Sequence, residues 1–316
     1  MRYARAPFPD RSIVLSDQTF SGIYAILYAF FDADGGLDRD AMRRQTEACI
    51  TSGANGMAAL GLATEVHKLT PDERLNVMRW LVEDTSGRTP VSITVYGNTP
   101  AEQIGFIRKA TDLGVDWVIL QPPRDRKVDE ATLIDFFAEV MNASSLPCAI
   151  QNAPAFLPNS LSDEGLARLA DRCPNFTLLK GEGSALDIHG TIQATRGKLD
   201  VFNGRGGLEL TDNLRAGCKG MIIAPEVLDV QVRVYQMLQK GDGASAERLY
   251  AEILPLVTFL MQSVEQFLCY GKRVTARRLG LAEVHDRLPA QAPTAFGLSC
   301  MDRYAAGLER YPRPIE

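Results

Sequence analysis

The chain is poor in the residues that mark several common kinds of protein. It has only three histidines, His67, His189 and His285, and no two are spaced to share a metal ion. Its six cysteines (Cys49, Cys148, Cys173, Cys218, Cys269 and Cys300) form no C-x-x-C pair. They are scattered, several of them in apolar segments, a pattern of small buried thiols in a reducing cytoplasm rather than of disulfides or a zinc site. No run of about 18 apolar residues occurs, so no membrane-spanning helix is expected. The stretch "MRYARAPFPDRSIVLSD" has neither a continuous apolar core nor a small-residue cleavage site, and no secretory leader is expected there. Net charge is −5 and no block of Lys and Arg stands out, which argues against a nucleic-acid surface. The most basic run, "GKRVTARRLG" (271–280), reads as a solvated helix face.

What is present is a repeat. Short apolar runs rich in β-branched residues recur about every 30 residues: "GIYAILYAF" (22–30), "GMAALG" (56–61), "PVSITVY" (90–96), "WVILQP" (117–122), "PCAIQN" (147–152), "FTLLKG" (176–181), "LDVFNG" (199–204) and "GMIIAP" (220–225). Amphipathic segments lie between them. Two open with a capping box, Thr70-Pro71 with Glu73 and Thr99-Pro100 with Glu102, and several close on glycine at Gly53, Gly87 and Gly114. Strands that are apolar along their whole length are buried on both faces, which a parallel sheet covered by helices provides. Eight such units predict a (β/α)8 TIM barrel over residues 1–225, with the last barrel helix and a C-terminal helical extension over 226–316. An open doubly wound sheet is the alternative. It lacks its usual fingerprint here, since Leu186 stands where G-x-G-x-x-G needs a third glycine after Gly181 and Gly183. The segment "ASAERLYAEILPLVTFLMQSVEQFLCYG" is expected to form a helix with enough apolar surface for packing on the barrel or for a subunit interface.

Within this pattern Lys180 is out of place unless it is used. It ends the sixth apolar run and shares a strand face with Leu178. Chemistry in such barrels sits at the C-terminal ends of the strands. An amine held among apolar neighbours there is favoured in its uncharged, nucleophilic form, suited to capture a ketone as a Schiff base. Two residues on, Glu182 falls on the same face of an extended segment and is a candidate acid or base. A lysine that snorkels to solvent and a glutamate that merely stabilises a helix N-terminus are the plainer readings.

Four segments resemble the dihydrodipicolinate synthase / N-acetylneuraminate lyase family of class I Schiff-base enzymes, over about residues 20–270. They are "GANGMAALGLATEVHKLTPDER" (53–74), "CAIQNAPAFLP" (148–158), "LLKGEGS" (178–184) and "VFNGRGGLELTDNLRAGCKGMI" (201–222). The resemblance implies that Lys180 is the Schiff-base lysine. The departures are specific. Gln151 replaces the family's strand-five tyrosine, Leu62 and Ala63 replace the paired threonines of the strand-two loop, Phe156 stands near the usual carboxylate-gripping arginine, and Arg124 replaces a tyrosine after strand four. The Gln151-Asn152 pair and Thr64-Glu65 are similar to segments of 2-keto-3-deoxy-L-arabonate dehydratases, members that lack the tyrosine.

The resemblance therefore implies a lyase acting on a 2-oxo acid, with dehydration of a 2-keto-3-deoxy sugar acid as the expected reaction. A pyruvate-dependent aldolase and a non-catalytic sugar-acid binder are the alternatives. Lys180, Glu182 and Thr64 are the expected catalytic residues. Gln151, Asn152, Glu65, Tyr96, Asn203, Gly204 and Arg124 are the expected substrate contacts, although Glu65 and Asn152 also read as structural groups. No metal or organic cofactor is implied, because an iminium withdraws electrons itself. The expected partners are a small-molecule 2-oxo acid and further copies of the chain, as a homodimer or homotetramer, in the cytoplasm.

Overall fold

The computed structural model describes residues 19–311; the stretch on which the leader expectation rests lies outside them. Eight parallel strands, β1 (Gly22–Ile26), β2 (Gly56–Ala59), β3 (Val91–Val95), β4 (Trp117–Leu120), β5 (Cys148–Asn152), β6 (Phe176–Gly181), β7 (Asp200–Asn203) and β8 (Gly220–Ile223), pair in sequence order and close into a barrel. Closure is direct: β8 returns to β1 with Gly220 opposite Gly22. This rules out the open sheet and gives the expected (β/α)8 architecture. Every residue of β1, β2, β3, β4 and β8 is buried, because one face meets the barrel interior and the other the helices.

The interior is filled rather than hollow. Tyr24, Trp117 and Phe202 pack ring to ring, with centroids 5.3–5.8 Å apart. Gly56 makes room for this plug, since a Cβ there would come within 2.1 Å of the Tyr24 ring. Apolar filling of this kind closes the barrel below its mouth.

The strands alternate with α1 (Arg39–Thr51), α2 (Pro71–Thr85), α3 (Pro100–Leu113), α4 (Glu130–Asn142), α5 (Asp163–Arg172), α6 (Ala185–Ala194), α7 (Leu210–Ala216) and α8 (Leu228–Gln239). Both expected capping boxes form, at Thr70 with Glu73 and at Thr99 with Glu102. A third, Ser184 with Asp187, starts α6. Gly114 ends α3 in the left-handed region, whereas Gly53 and Gly87 lie one residue beyond the cap positions Ser52 and Ser86.

The C-terminal part corrects two expectations. The long apolar segment is not one helix. α9 (Gly243–Leu260) stops, and Ser263 caps a new start by accepting from the Gln266 amide. A short α10 (Val264–Gln266) and a π-helical turn (Phe267–Gly271) then lead into α11 (Lys272–Leu279), and the stretch Val264–Leu279 as a whole is bent by 114° from α9. A last helix, α12 (Ala295–Tyr304), follows. The basic run 271–280 is not a solvated face either. Lys272 and Arg278 are 1% and 3% exposed, and each is neutralised by a carboxylate, Glu65 and Asp229 respectively. Basic side chains can be buried this deeply because each is paired. All six cysteines are free, five of them buried. Among the described residues no single helix is long and apolar enough to cross a membrane.

Candidate active site

The strand ends converge on a cavity of about 340 Å3 at the C-terminal mouth. Ile26 from β1, Gln151 from β5, Lys180 from β6 and Ile222 from β8 all reach it, as do Leu62 and Ala63 just beyond β2. Lys180 is 5% exposed and stands level with Gln151 on one side and Phe202 on the other. Its ammonium does not sit among apolar groups alone. The Glu182 carboxylate lies 2.8 Å from Nζ, the same-face placement expected for residues two apart in an extended segment.

The glycines around this pair have separate tasks. Gly181 lies against α6, where a Cβ would come 2.4 Å from Ile188. Gly204, just past β7, leaves room for the carboxylate, since a Cβ there would approach Glu182 Oε1 to 2.7 Å. The next residue, Arg205, adopts the left-handed region at φ 52°, a conformation that costs a non-glycine residue about 1 kcal/mol. That turn directs its backbone N–H to Glu182 Oε2 at 3.3 Å. Gln151 Nε2 donates to Glu182 Oε1 at 3.3 Å. Glu182 is thus held by the Lys180 ammonium, a side-chain amide and a backbone amide, which fixes its aim at the amine.

Gln151, Gly204 and Arg124 line the cavity with Lys180 and Glu182. The other expected residues do not, and the reasons are visible. Thr64 is fully buried; its hydroxyl donates to Leu27 O at 2.7 Å and accepts from Leu60 N at 3.0 Å, so it pins the loop after β2 and has no place as a proton relay. Glu65 is buried beneath that loop, bound by Lys68 and Lys272, and is no substrate contact. Asn152 exchanges two hydrogen bonds with the Leu161 backbone, at 2.8 and 3.0 Å. Asn203 ties Gly183 O to Gly204 N and Asn213. Tyr96 belongs to a separate small cavity with Arg74 and Leu75. Burial pushes its phenol up to about 12, so it stays protonated. Its link to the mouth is Arg124, whose guanidinium stands 5.5 Å over the ring.

Sequence reasoning missed three contributors. Gln121 donates to Gln151 Oε1 and so fixes which end of that amide faces Glu182. Arg205 supplies a backbone N–H that no side-chain pattern announces. Met261, Val264 and Phe267, from the bend after α9, form one wall of the cavity. The break that brings them there was hidden in a continuous apolar run.

A closed barrel with a buried lysine–carboxylate pair at the C-terminal mouth defines a lysine-centred (β/α)8 barrel. The chain belongs to the dihydrodipicolinate synthetase family, whose model matches residues 19–293. It is 29% identical over 294 residues to a 4-hydroxy-tetrahydrodipicolinate synthase of Chelativorans sp., covering 90% of this chain and 98% of that one. It is 27% identical over 243 residues, 75% of this chain and 80% of the relative, to the "Probable 2-dehydro-3-deoxy-D-pentonate aldolase YjhH" of Escherichia coli K12. Among solved structures, the fold is shared with YagE, a prophage protein of Escherichia coli K12 solved in complex with pyruvate (TM-score 0.84, 24% identity, covering 92% of this chain and 98% of that one).

Proposed function

We propose that the protein is a class I lyase that binds a 2-oxo acid as a Schiff base on Lys180. The observation that carries this is the 2.8 Å pair of Lys180 with Glu182, nearly dry, on the wall of a cavity that admits a small molecule. The pair stands where the ends of β1, β5, β6 and β8 converge, the end of such barrels at which chemistry is placed.

The steps follow from the arrangement. The ammonium hands a proton to Glu182, and the freed amine adds to the C2 ketone; loss of water leaves a protonated imine. The imine draws electrons from C3. Glu182 is the one carboxylate among the described cavity-lining residues, so it serves as the group that removes a proton and returns it. In an aldol cleavage it takes the C4 hydroxyl proton as the C3–C4 bond breaks into an enamine. In a dehydration it takes the C3 proton and protonates the hydroxide leaving C4. Gln151 keeps Glu182 in place through these changes. The backbone amides of Leu62 and Ala63, which donate to no group among the described residues, and the Arg124 guanidinium are the partners for the substrate carboxylate.

Dehydration of a 2-keto-3-deoxy sugar acid is the finer reading drawn from the segment resemblance. Aldol chemistry on a pyruvate core is the second, supported by the pentonate aldolase name of one relative and by the pyruvate in the YagE complex. Assembly as a homodimer or homotetramer and a cytoplasmic location belong to the same proposal. The test is borohydride reduction of the protein with pyruvate. A covalent adduct on Lys180, found by peptide mass and lost in Lys180→Ala, is the expected result. Absence of an adduct with every 2-oxo acid tried overturns the reading.

A further inference from the structure

Three of the six exposed large hydrophobic side chains among the described residues, Leu62, Phe156 and Val264, line this one cavity. Such residues are ordinarily scattered. Phe156 is 67% exposed at the rim, and Met261 and Phe267 continue the apolar surface from the other side. The polar side chains that also reach the cavity are largely committed. Gln151 is engaged at both ends, by Gln121 and Glu182. Arg205 donates to Gly183 O and Glu209. The Gln262 amide nitrogen donates to Thr258 O, and the Ser263 hydroxyl caps α10. Arg124 pairs with no carboxylate among the described residues, and its flat cation already lies over an aromatic ring. Guanidinium faces stack on aromatic rings as well as grip carboxylates.

A polyhydroxylated chain entering this space would exchange its water partners for carbon walls and for polar groups already satisfied, a loss for each hydroxyl. A ring or branched alkyl group would cover Phe156, Leu62 and Val264. We propose that this cavity serves the second of the two routes above, aldol cleavage, on a 4-hydroxy-2-oxo acid with an aromatic or bulky apolar group on C4, and that the sugar-acid reading gives way to it. The inference rests on the Schiff-base reading and names the substrate class of the same site. The reaction balances without a further reagent. The C3–C4 bond breaks, and its electron pair passes into the imine to form the enamine. The C4 hydroxyl proton goes to Glu182 and C4 becomes an apolar aldehyde. The enamine then takes a proton at C3, and water releases pyruvate.

The experiment compares 4-hydroxy-2-oxo-4-phenylbutanoate with 2-keto-3-deoxypentonate on the full chain, following pyruvate and, for the second, also the dehydrated product. Pyruvate trapping by borohydride is run in parallel. The expected result is a kcat/KM at least about 100-fold higher for the phenyl compound. Phe156→Ala is expected to reduce that ratio about tenfold, chiefly through KM. Trapping of pyruvate together with faster turnover of the pentonate, by either route, overturns this inference and leaves the Schiff-base reading standing. Failure to trap any 2-oxo acid removes both.

Discussion

Removing the charge of Glu65 should unsettle the barrel although the residue lies outside the cavity. Glu65 is 1% exposed, and its two oxygens meet Lys68 and Lys272. In Glu65→Gln the shape is kept and two buried ammonium groups lose their closest counter-charge. Leaving one buried partner uncompensated typically costs 3–5 kcal/mol. Two contacts moderate this. Lys272 keeps Asp286 at 3.6 Å, and Lys68 keeps the Arg287 carbonyl at 2.8 Å. The expected loss is therefore at the low end, about 3 kcal/mol. For a chain of this size it lowers the apparent Tm by about 4–5 °C. The assay is thermal and urea denaturation at neutral pH, together with the double variant Glu65→Gln/Lys272→Met. Removing the stranded cation should restore much of the stability, because a buried pair is dispensable once both partners go. A loss below about 1 kcal/mol, or a double variant no more stable than the single one, would refute this account of the network.

Two further changes test other groups. Glu182→Gln keeps the shape and one of the two accepted bonds, from Gln151 Nε2 or from the Arg205 amide, but cannot move a proton; kcat should fall by about 100- to 10,000-fold, while a slow borohydride-trapped adduct still forms, and an unchanged kcat would remove Glu182 from the mechanism. Burial pushes the Glu226 carboxyl up to about 7, with Tyr28 donating to it at 3.0 Å. Between about pH 4.5 and 7 the folded chain retains a proton that the unfolded chain has released, so stability declines across that window as pH rises and levels off above it. Glu226→Gln should flatten that decline and gain about 3 kcal/mol at pH 8, read from urea midpoints at several pH values; an unaltered slope would count against the assignment.

The barrel was legible because its strands are buried on both faces, so eight apolar runs marked eight strands with little ambiguity. The capping boxes at Thr70 and Thr99 were legible because they are local. Lys180 and Glu182 were legible for the same reason: a two-residue period in a strand places them together whatever the rest of the chain does. The remaining site residues depended on distant partners. Nothing near Glu65 in sequence reveals Lys272, and nothing in Asn152 or Asn203 shows that their amides are absorbed by backbone at Leu161 and Gly183. Thr64 looked available until its hydroxyl was seen bridging Leu27 and Leu60. The basic run 271–280 misled because the two carboxylates that neutralise Lys272 and Arg278 come from elsewhere in the fold. The bend after α9 was hidden because a helix that breaks at a serine keeps an almost unbroken apolar pattern.

That bend also bears on biosynthesis. Lys180 leaves the ribosome well before Met261, Val264 and Phe267, which wall in its cavity. A nascent chain that has just exposed the amine has not yet received the side chains that shelter it. The chamber is completed only once the bend after α9 has been made, so a chain halted before Met261 carries the lysine without that wall.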